Sequence, residues 1–487
     1  MTTRLMARAI GAAALGALLA GCASTGGLSP SASGSEANRL EASRSFADIP
    51  LSDAAWPSAD WWTRFNDAQL DALVEEALKG SPTLRAADAR VRKALAVAGI
   101  ANAARLPQVT GDASVTRERL PEKGLVPPSF GGSWITQGEL SANLSYDLDL
   151  WGRNRSAYES AFDEAHASAV DRYGAQLFLS TSIVRAYVQL QLAYDQLDVA
   201  KALVAERERV RALTQQRTAN GIDSRVELRQ AEAALPEARE RVIQLEETIA
   251  LTRNQLAALL GEGPDRGLQI ERPRMQSSGA LALPSVLPAD LIGRRPDIVA
   301  SRWRVEAARK DIAVAKAEFY PNVNVIAFVG LQAIGLGNLL HAGSTIAGVS
   351  PALRLPIFEG GRLRANLAGR DADYDIAVER YNQSLADALR EVVDQLASMK
   401  SVNAQRREAN AGLQTAQSAY DLALLRYKEG LGNYLQVLNV ESSVLTQKNL
   451  RAALDARELE ISVNLARALG GGFDDTDRAP IVGAMQR

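Results

Sequence analysis

The sequence predicts a mainly α-helical chain with a membrane β-barrel component: long coiled-coil helical hairpins in two tandem repeats, plus four β-strands. Three observations carry this. The stretch Arg426 to Val444, RYKEGLGNYLQVLNVESSV, has the design of the earlier stretch Arg217 to Leu235, RTANGIDSRVELRQAEAAL. Arg217 aligns with Arg426, Gly221 with Gly430 and Glu232 with Glu441, each at an offset of 430 − 221 = 209 residues. Self-similarity at a fixed offset marks a repeated structural unit. Long runs with apolar residues at three- and four-residue steps flank both stretches, and short alternating segments precede them.

Charge and composition narrow the class. Lys and Arg total 55 against 57 Asp and Glu, so nothing in the balance points to nucleic acid. Aromatic residues make up 5%, which suits Ala-rich helices packed closely on one another more than a core filled by large rings. Arg4 and Arg8, the apolar run Ala9 to Ala20, and Leu19-Ala20-Gly21-Cys22 form an export address. That tetrapeptide resembles the bacterial lipobox. It implies a signal peptide over 1–21 and a mature chain starting at Cys22, which carries S-diacylglycerol and an N-acyl chain. A small residue at an ordinary cleavage site is the plainer alternative, but Cys22 is the only cysteine. Three acyl chains anchor far more firmly than one. Ala23 follows the cysteine, where resemblance to lipoprotein sorting rules implies the outer membrane. No other run approaches the ~20 apolar residues of a spanning helix.

Residues 22–58, rich in Ser, Gly, Ala and Pro from Thr25 on, read as a lipid-anchored flexible tether. A first unit spans 59–263. In it Leu70, Leu73, Val74, Ala77 and Leu78 have helical spacing, Gly80-Ser81-Pro82 breaks the run, and a second helix follows from Pro82 to about Ala104. Gly138 to Leu150 then alternates apolar with polar residues, with Leu106 to Val115 as its weaker partner. A helix from about Arg155 to Thr218 carries Ile183, Tyr187, Leu190, Tyr194 and Leu197 on one side. Its roughly 60 residues correspond to ~90–95 Å. The descending helix repeats Leu228, Leu235, Val242, Ile249 and Leu256 every seven residues, with Pro236 interrupting it.

A linker over 264–288 holds four prolines, and a second unit spans 289–470. Its strands are Asn322 to Val329 and a partner with Val349, Pro351, Leu353, Leu355 and Ile357 on one face. Gly330, Gly335 and Gly337 fall in the loop between them. A Gly-Arg pair closes the second strand of each unit, at Gly152-Arg153 and Gly361-Arg362. Leu385, Leu389, Val392, Leu396 and Met399 mark the ascending helix, and Leu431, Leu438, Leu445, Ala452, Leu459 and Ala466 the heptads of its return. Residues 471–487 read as a flexible tail. Apolar-out alternation is the signature of membrane barrel strands, although an amphipathic sheet over a soluble core would alternate too. The lipobox favours the barrel.

Leu291 to Val323, LIGRRPDIVASRWRVEAARKDIAVAKAEFYPNV, resembles the signature of the outer-membrane factor family, the TolC-like channels of tripartite efflux pumps. Trp61-Trp62 with Phe65, and the RYKEG turn with Asn433-Tyr434-Leu435, are similar to that family as well. Its lipidated branch, bearing Arg294-Arg295-Pro296-Asp297, serves resistance-nodulation-division (RND) transporters. The resemblance implies a homotrimer whose chains each lend four strands to one twelve-stranded barrel in the outer-membrane lipid, and their helices to a periplasmic tunnel. It implies as partners a periplasmic membrane-fusion adaptor and an inner-membrane RND-type pump, and as function a passive duct for small molecules. A type I protein-secretion duct and a pore-free lipid-anchored scaffold are the alternatives.

The two turns, with Gly221, Gly430 and Gly432, would lie at the periplasmic tip. Arg426 and Tyr427 match positions that hold the closed aperture by bonds to a neighbouring helix; finishing a helix end is the blander role. Gln436 and Asn439 stand where the family commonly places acids, leaving Asp223, Glu227 and Glu441 as sources of negative potential, or as solvated helix faces. Asp147, Asp149 and Glu139 would face a barrel lumen. Arg294 and Arg295 suit a structural helix start. His166 and His341 are isolated, so no catalytic set, metal site or cofactor beyond the lipid is expected.

Overall fold

The computed structural model describes residues 25–35, 51–52, 56–123, 129, 131–276, 283–284 and 293–475. Cys22, the signal peptide, most of the tether, linker residues 277–282 and 285–288, and the tail beyond 475 lie outside the described residues. In chain order the helices are α1 (Ala68–Gly80), α2 (Pro82–Ala103), α3 (Arg153–Ala219), α4 (Arg225–Leu260), α5 (Pro264–Leu268), α6 (Pro296–Ala317), α7 (Arg362–Lys428) and α8 (Tyr434–Ala468). The strands are β1 (Gln108–Arg119), β2 (Trp134–Asp147), β3 (Asn322–Ile334) and β4 (Thr345–Arg354). α3 and α7 are each 67 residues long, and α4 and α8 are 36 and 35. Two compact units result, and each draws on both halves of the sequence.

The first unit comprises residues up to Gly34, Arg90–Ser168 and Ala300–Asn382. Its centre is an antiparallel sheet in the order β1-β2-β3-β4. β2 ends at Asp147 rather than Leu150, because Asp149 turns the chain with φ of 45° and accepts the backbone N–H groups of Asn154 and Arg155, both at 2.9 Å. Asp149 therefore caps α3 and does not line the sheet. Gly152-Arg153 and Gly361-Arg362 begin helices instead of closing strands. β3 runs on to Ile334 through Gly330, which is a strand residue and not part of a loop. A Cβ there would lie 2.4 Å from the Leu140 carbonyl oxygen, so the close backbone approach requires glycine.

Residues 25–35, expected as free tether, are packed. Leu28 joins a cluster of Ile312, Ala315, Phe319, Leu363 and Leu367. Ser31 Oγ and Ala32 N donate to the Asp375 carboxylate at 2.7 and 2.8 Å, and Asn382 Nδ2 donates to the Ser33 carbonyl at 3.3 Å. Those bonds, first from the Ala32 backbone and then from the Ser31 hydroxyl, hold Asp375 below its ordinary carboxylate range.

The second unit, with Ser35–Ala89, Ala169–Val299 and Gln383–Arg487, holds the main core. Trp61, Trp62 and Phe65 of a short 3-10 turn, Leu70, Leu73 and Val74 of α1, Ile183, Tyr187 and Leu190 of α3, and Leu256 and Leu260 of α4 pack together. Asp67 caps α1 through Gln69 N (3.0 Å) and Leu70 N (3.2 Å), and its other oxygen accepts from the Tyr187 hydroxyl at 3.0 Å. The α4 heptads bury Leu235, Ile249 and Leu256, with Ala231, Ala238 and Leu245 between them, and α4 stays continuous through Pro236. The α8 seam departs from the expected one near its start. Tyr434, Val437, Glu441 and Val444 are buried there, while Leu431 precedes the helix and is 71% exposed. Arg295 is buried and pairs with Asp297 (2.6 Å) and Glu391 (3.0 Å), as befits a structural helix start. Among the described residues no helix is long and apolar enough to cross a membrane.

Candidate functional site

The first candidate is the sheet of the first unit. Directly paired residues of an antiparallel sheet share a face, so the register settles which side each residue takes. One face carries Val109, Ala113 and Val115 of β1, Leu140, Ala142, Leu144 and Tyr146 of β2, Val323, Val325 and Val329 of β3, and Val349, Pro351 and Leu353 of β4. Over these rows it is apolar, giving way to Arg117, Thr136 and Thr345 toward one end, and it is open to the surroundings, with Val109 69%, Val349 73% and Leu353 67% exposed. A patch of this extent is costly in water and at ease in lipid. The opposite face carries Thr110, Asp112, Glu139, Ser141, Asn143, Ser145 and Asp147. Asp147 is neutralised there by Arg153 at 3.0 Å. Strand lengths of 12, 14, 13 and 10 residues reach the ~9–11 residues that a tilted strand needs to cross a membrane. Among the described residues nothing pairs the outer edges of β1 and β4.

The second candidate is the pair of helical turns in the second unit. Each helix end closes the same way. Ile222 N and Leu431 N donate back to the Arg217 and Arg426 carbonyls at 2.9 and 2.8 Å, and Gly221 N and Gly430 N donate to Thr218 and Tyr427. Gly221 and Gly430 take φ of 72° and 78°, the left-handed cap that favours glycine. Gly432 has no such φ. Ser224 and Asn433, again 209 apart, cap the returning helices.

The side chains diverge where the backbones agree. Tyr427 is fully buried, and its hydroxyl lies 2.5 Å from Asp223 Oδ2 and 2.8 Å from Thr214 Oγ1. Arg217 donates twice to Asp223, at 2.9 and 3.1 Å, and its guanidinium sits 4.5 Å from the centre of the Tyr427 ring. Burial raises the Asp223 carboxyl, but hydrogen bonds from Arg217 and Tyr427 outweigh it and leave Asp223 below its ordinary value. The Tyr427 phenol is pushed up to about 12, by burial first and the Asp223 carboxylate second. Asp223 is thus a buried ion-pair member, not a free source of negative potential. Arg426, expected to act with Tyr427, is exposed and reaches only the Leu431 carbonyl of its own turn, at 3.4 Å. Arg217, its counterpart at the other turn, takes the buried place beside Asp223, where the second turn has Gly432.

Glu441 is likewise buried and paired, with Arg207 at 3.3 Å and both side chains 10% exposed. Burial raises its carboxyl and Arg207 offsets this in part. Glu227 closes a capping box with Ser224, accepting its backbone N–H at 2.9 Å. Gln436 and Asn439 are exposed; the Gln436 backbone N–H donates to the Asn433 cap at 2.9 Å, and the Asn439 carbonyl accepts from Ser443 at 3.4 Å. Cys22 lies outside the described residues.

The family model described as outer membrane efflux protein matches residues 73–262 and 287–471. The fusaric acid resistance protein FusA of Burkholderia cepacia is 44% identical over 66% of this chain, a match that spans 61% of FusA itself. The multidrug resistance outer membrane protein MdtP of Escherichia coli is 32% identical over 88% of this chain and 89% of its own length. Among solved structures, the outer membrane protein VceC of Vibrio cholerae superposes with a TM-score of 0.81 at 38% identity, covering 86% of this chain and all of VceC. The family model covers well over half of the chain, and the chain belongs to the outer membrane efflux protein family.

Proposed function

We propose that the chain is one subunit of a homotrimeric, passive outer-membrane duct that discharges small molecules delivered by a periplasmic adaptor and an inner-membrane RND-type pump. The carrying observation is the four-stranded sheet with an exposed apolar face and two unpaired edges. Such edges are a liability unless covered, and a spanning sheet has to close. Three copies joined β1 to β4 give twelve strands and leave no edge. The 67-residue helices and their returns form the tunnel in two tandem repeats, the paired turns form its periplasmic end, and the lipid on Cys22 adds an anchor. Energy comes from the pump, so the duct needs no catalytic group. Relatives named for resistance to fusaric acid and to multiple drugs favour small-molecule efflux over protein secretion.

Cysteine cross-linking tests the closure. With Cys22 the only native cysteine and occupied by lipid in this scheme, cysteines scanned along β1 and β4 are free to report. Oxidation should join some β1–β4 pairs into covalent trimers. Exclusively β1–β1 or β4–β4 products would exclude this arrangement.

A further inference from the structure

The face opposite the lipid-ready one is not uniformly polar. Three successive rows across the sheet read Gln108–Ser145–Ile326–Ser350, Thr110–Asn143–Phe328–Gly348 and Asp112–Ser141–Gly330–Ile346. In these rows the β1–β2 half is polar and acidic, while the β3–β4 half carries Ile326, Phe328 and Ile346 with Ser350 and two glycines. Phe328 and Ile326 are 36% and 39% exposed. The Phe328 ring lies over Gly348, where an added Cβ would meet it at 2.7 Å, so the ring is laid flat across the neighbouring strand. On the other half Asp112 accepts from Asn143 Nδ2 at 2.7 Å and Glu139 from Ser141 Oγ at 3.4 Å. Amides and hydroxyls hold these carboxylates, and among the described residues no ion pair neutralises them.

We propose that this face is a two-character transit surface for amphiphilic cations, with apolar parts resting on Ile326, Phe328 and Ile346 while the charge is drawn toward Asp112 and Glu139. It rests on the duct reading, in which this face lines the lumen. Adjacent strands are ~4.8 Å apart, so the two halves lie within about 10 Å of each other, the scale of one drug-sized molecule. The aromatic face adds its own attraction for a cation. Threefold repetition alternates acidic and apolar stripes around the barrel.

The test is cation block of the full-length channel in planar bilayers, comparing tetraphenylphosphonium chloride with tetramethylammonium chloride at equal ionic strength. Tetraphenylphosphonium should block at a concentration at least about tenfold lower. Phe328→Thr should shrink that ratio toward one, and so should the double change Ile326→Thr with Ile346→Thr, which keeps the ring over Gly348 and covers the case in which Phe328→Thr fails to assemble. Asp112→Asn with Glu139→Gln should weaken block by both cations alike. The apolar variants are read as a ratio of two cations, which a simple change of conductance does not move. The acidic variant is read as a common loss of block, so undiminished block by both cations there overturns the inference. Equal block in the unaltered channel, or an unchanged ratio in the Ile variants, overturns the inference alone. No conductance under any condition counts against the duct and removes this surface with it.

Discussion

Tyr427→Phe removes one hydroxyl from a buried cluster and leaves its ring packed among Val210, Ala423 and Tyr434. That hydroxyl meets the Asp223 carboxylate at 2.5 Å and Thr214 at 2.8 Å. A charge-assisted bond contributes about 1.5–3 kcal/mol and a neutral one about 0.5–1.5. Asp223 keeps its two bonds from Arg217, so the expected loss is about 2 kcal/mol rather than the sum of both. Asp223→Asn should cost more, because it strands a guanidinium that is only 8% exposed; breaking a buried pair from one side costs about 3–5 kcal/mol. Arg426→Ser touches a single exposed bond within one turn and should stay within about 0.5 kcal/mol. Thermal unfolding of the helical signal in detergent should therefore rank Asp223→Asn as most damaging, then Tyr427→Phe, then Arg426→Ser.

The pH dependence has a definite sign. The Tyr427 phenol titrates near 12 in the fold against about 10 when unfolded. Its contribution is intact below pH 10 and declines between about 10 and 12, by about 2–3 kcal/mol in all, a decline absent from the Phe variant. Asp223 is lowered, so its contribution is present above the ordinary carboxylate pKa and disappears only as the pH falls through a more acidic range. Arg426→Ser as harmful as Tyr427→Phe, or the same alkaline decline in the Phe variant, would refute the assignment of this cluster.

Leu144, paired with Val109 and Ala327 on the apolar face, should not tolerate Arg, at about 2–4 kcal/mol near the bilayer midplane. Ser145→Arg, one residue on, should insert normally; membrane fractionation separates the two outcomes, and equal insertion would mean the faces are misassigned. Gly330→Val should abolish sheet assembly, since its Cβ would strike the Leu140 carbonyl, whereas Gly337→Val, with nothing within 4 Å, should assemble. Heat-modifiable migration on gels distinguishes them. Mass spectrometry of the mature chain is expected to find Cys22 first and triacylated, and an unmodified Cys22 would remove the anchor.

Much of this was legible because period-two and period-seven patterns report directly on which face is buried. The alternation from Gly138 to Tyr146 and the Leu235, Ile249 and Leu256 heptads needed only counting. Charged residues on helices were harder, since a buried ion pair and a solvated face use the same letters. Glu441 carried a usable signal, because it falls on the three-four seam of Tyr434, Val437 and Val444. Arg217 carried a subtler one. Its counterpart Arg426 has the same turn, but Gly432 occupies the position equivalent to Asp223, so only one half has a carboxylate to draw the arginine inward. Gly330 was misplaced for a related reason: glycine usually marks a turn, and here it admits a neighbouring backbone. The apolar half of the polar face was hidden until register placed Phe328 and Ile346 beside acidic strands.

In the proposed function, copies of this chain close a water-filled duct across the outer membrane. Single-channel recording of the purified, full-length lipoprotein in planar bilayers addresses it directly. Stable, discrete conductance steps from a trimer-sized species are expected, and they should disappear in Leu144→Arg and persist in Ser145→Arg. A lipid-inserted trimer that passes no ions, even after Tyr427→Phe and Asp223→Asn loosen the turns, would contradict the account.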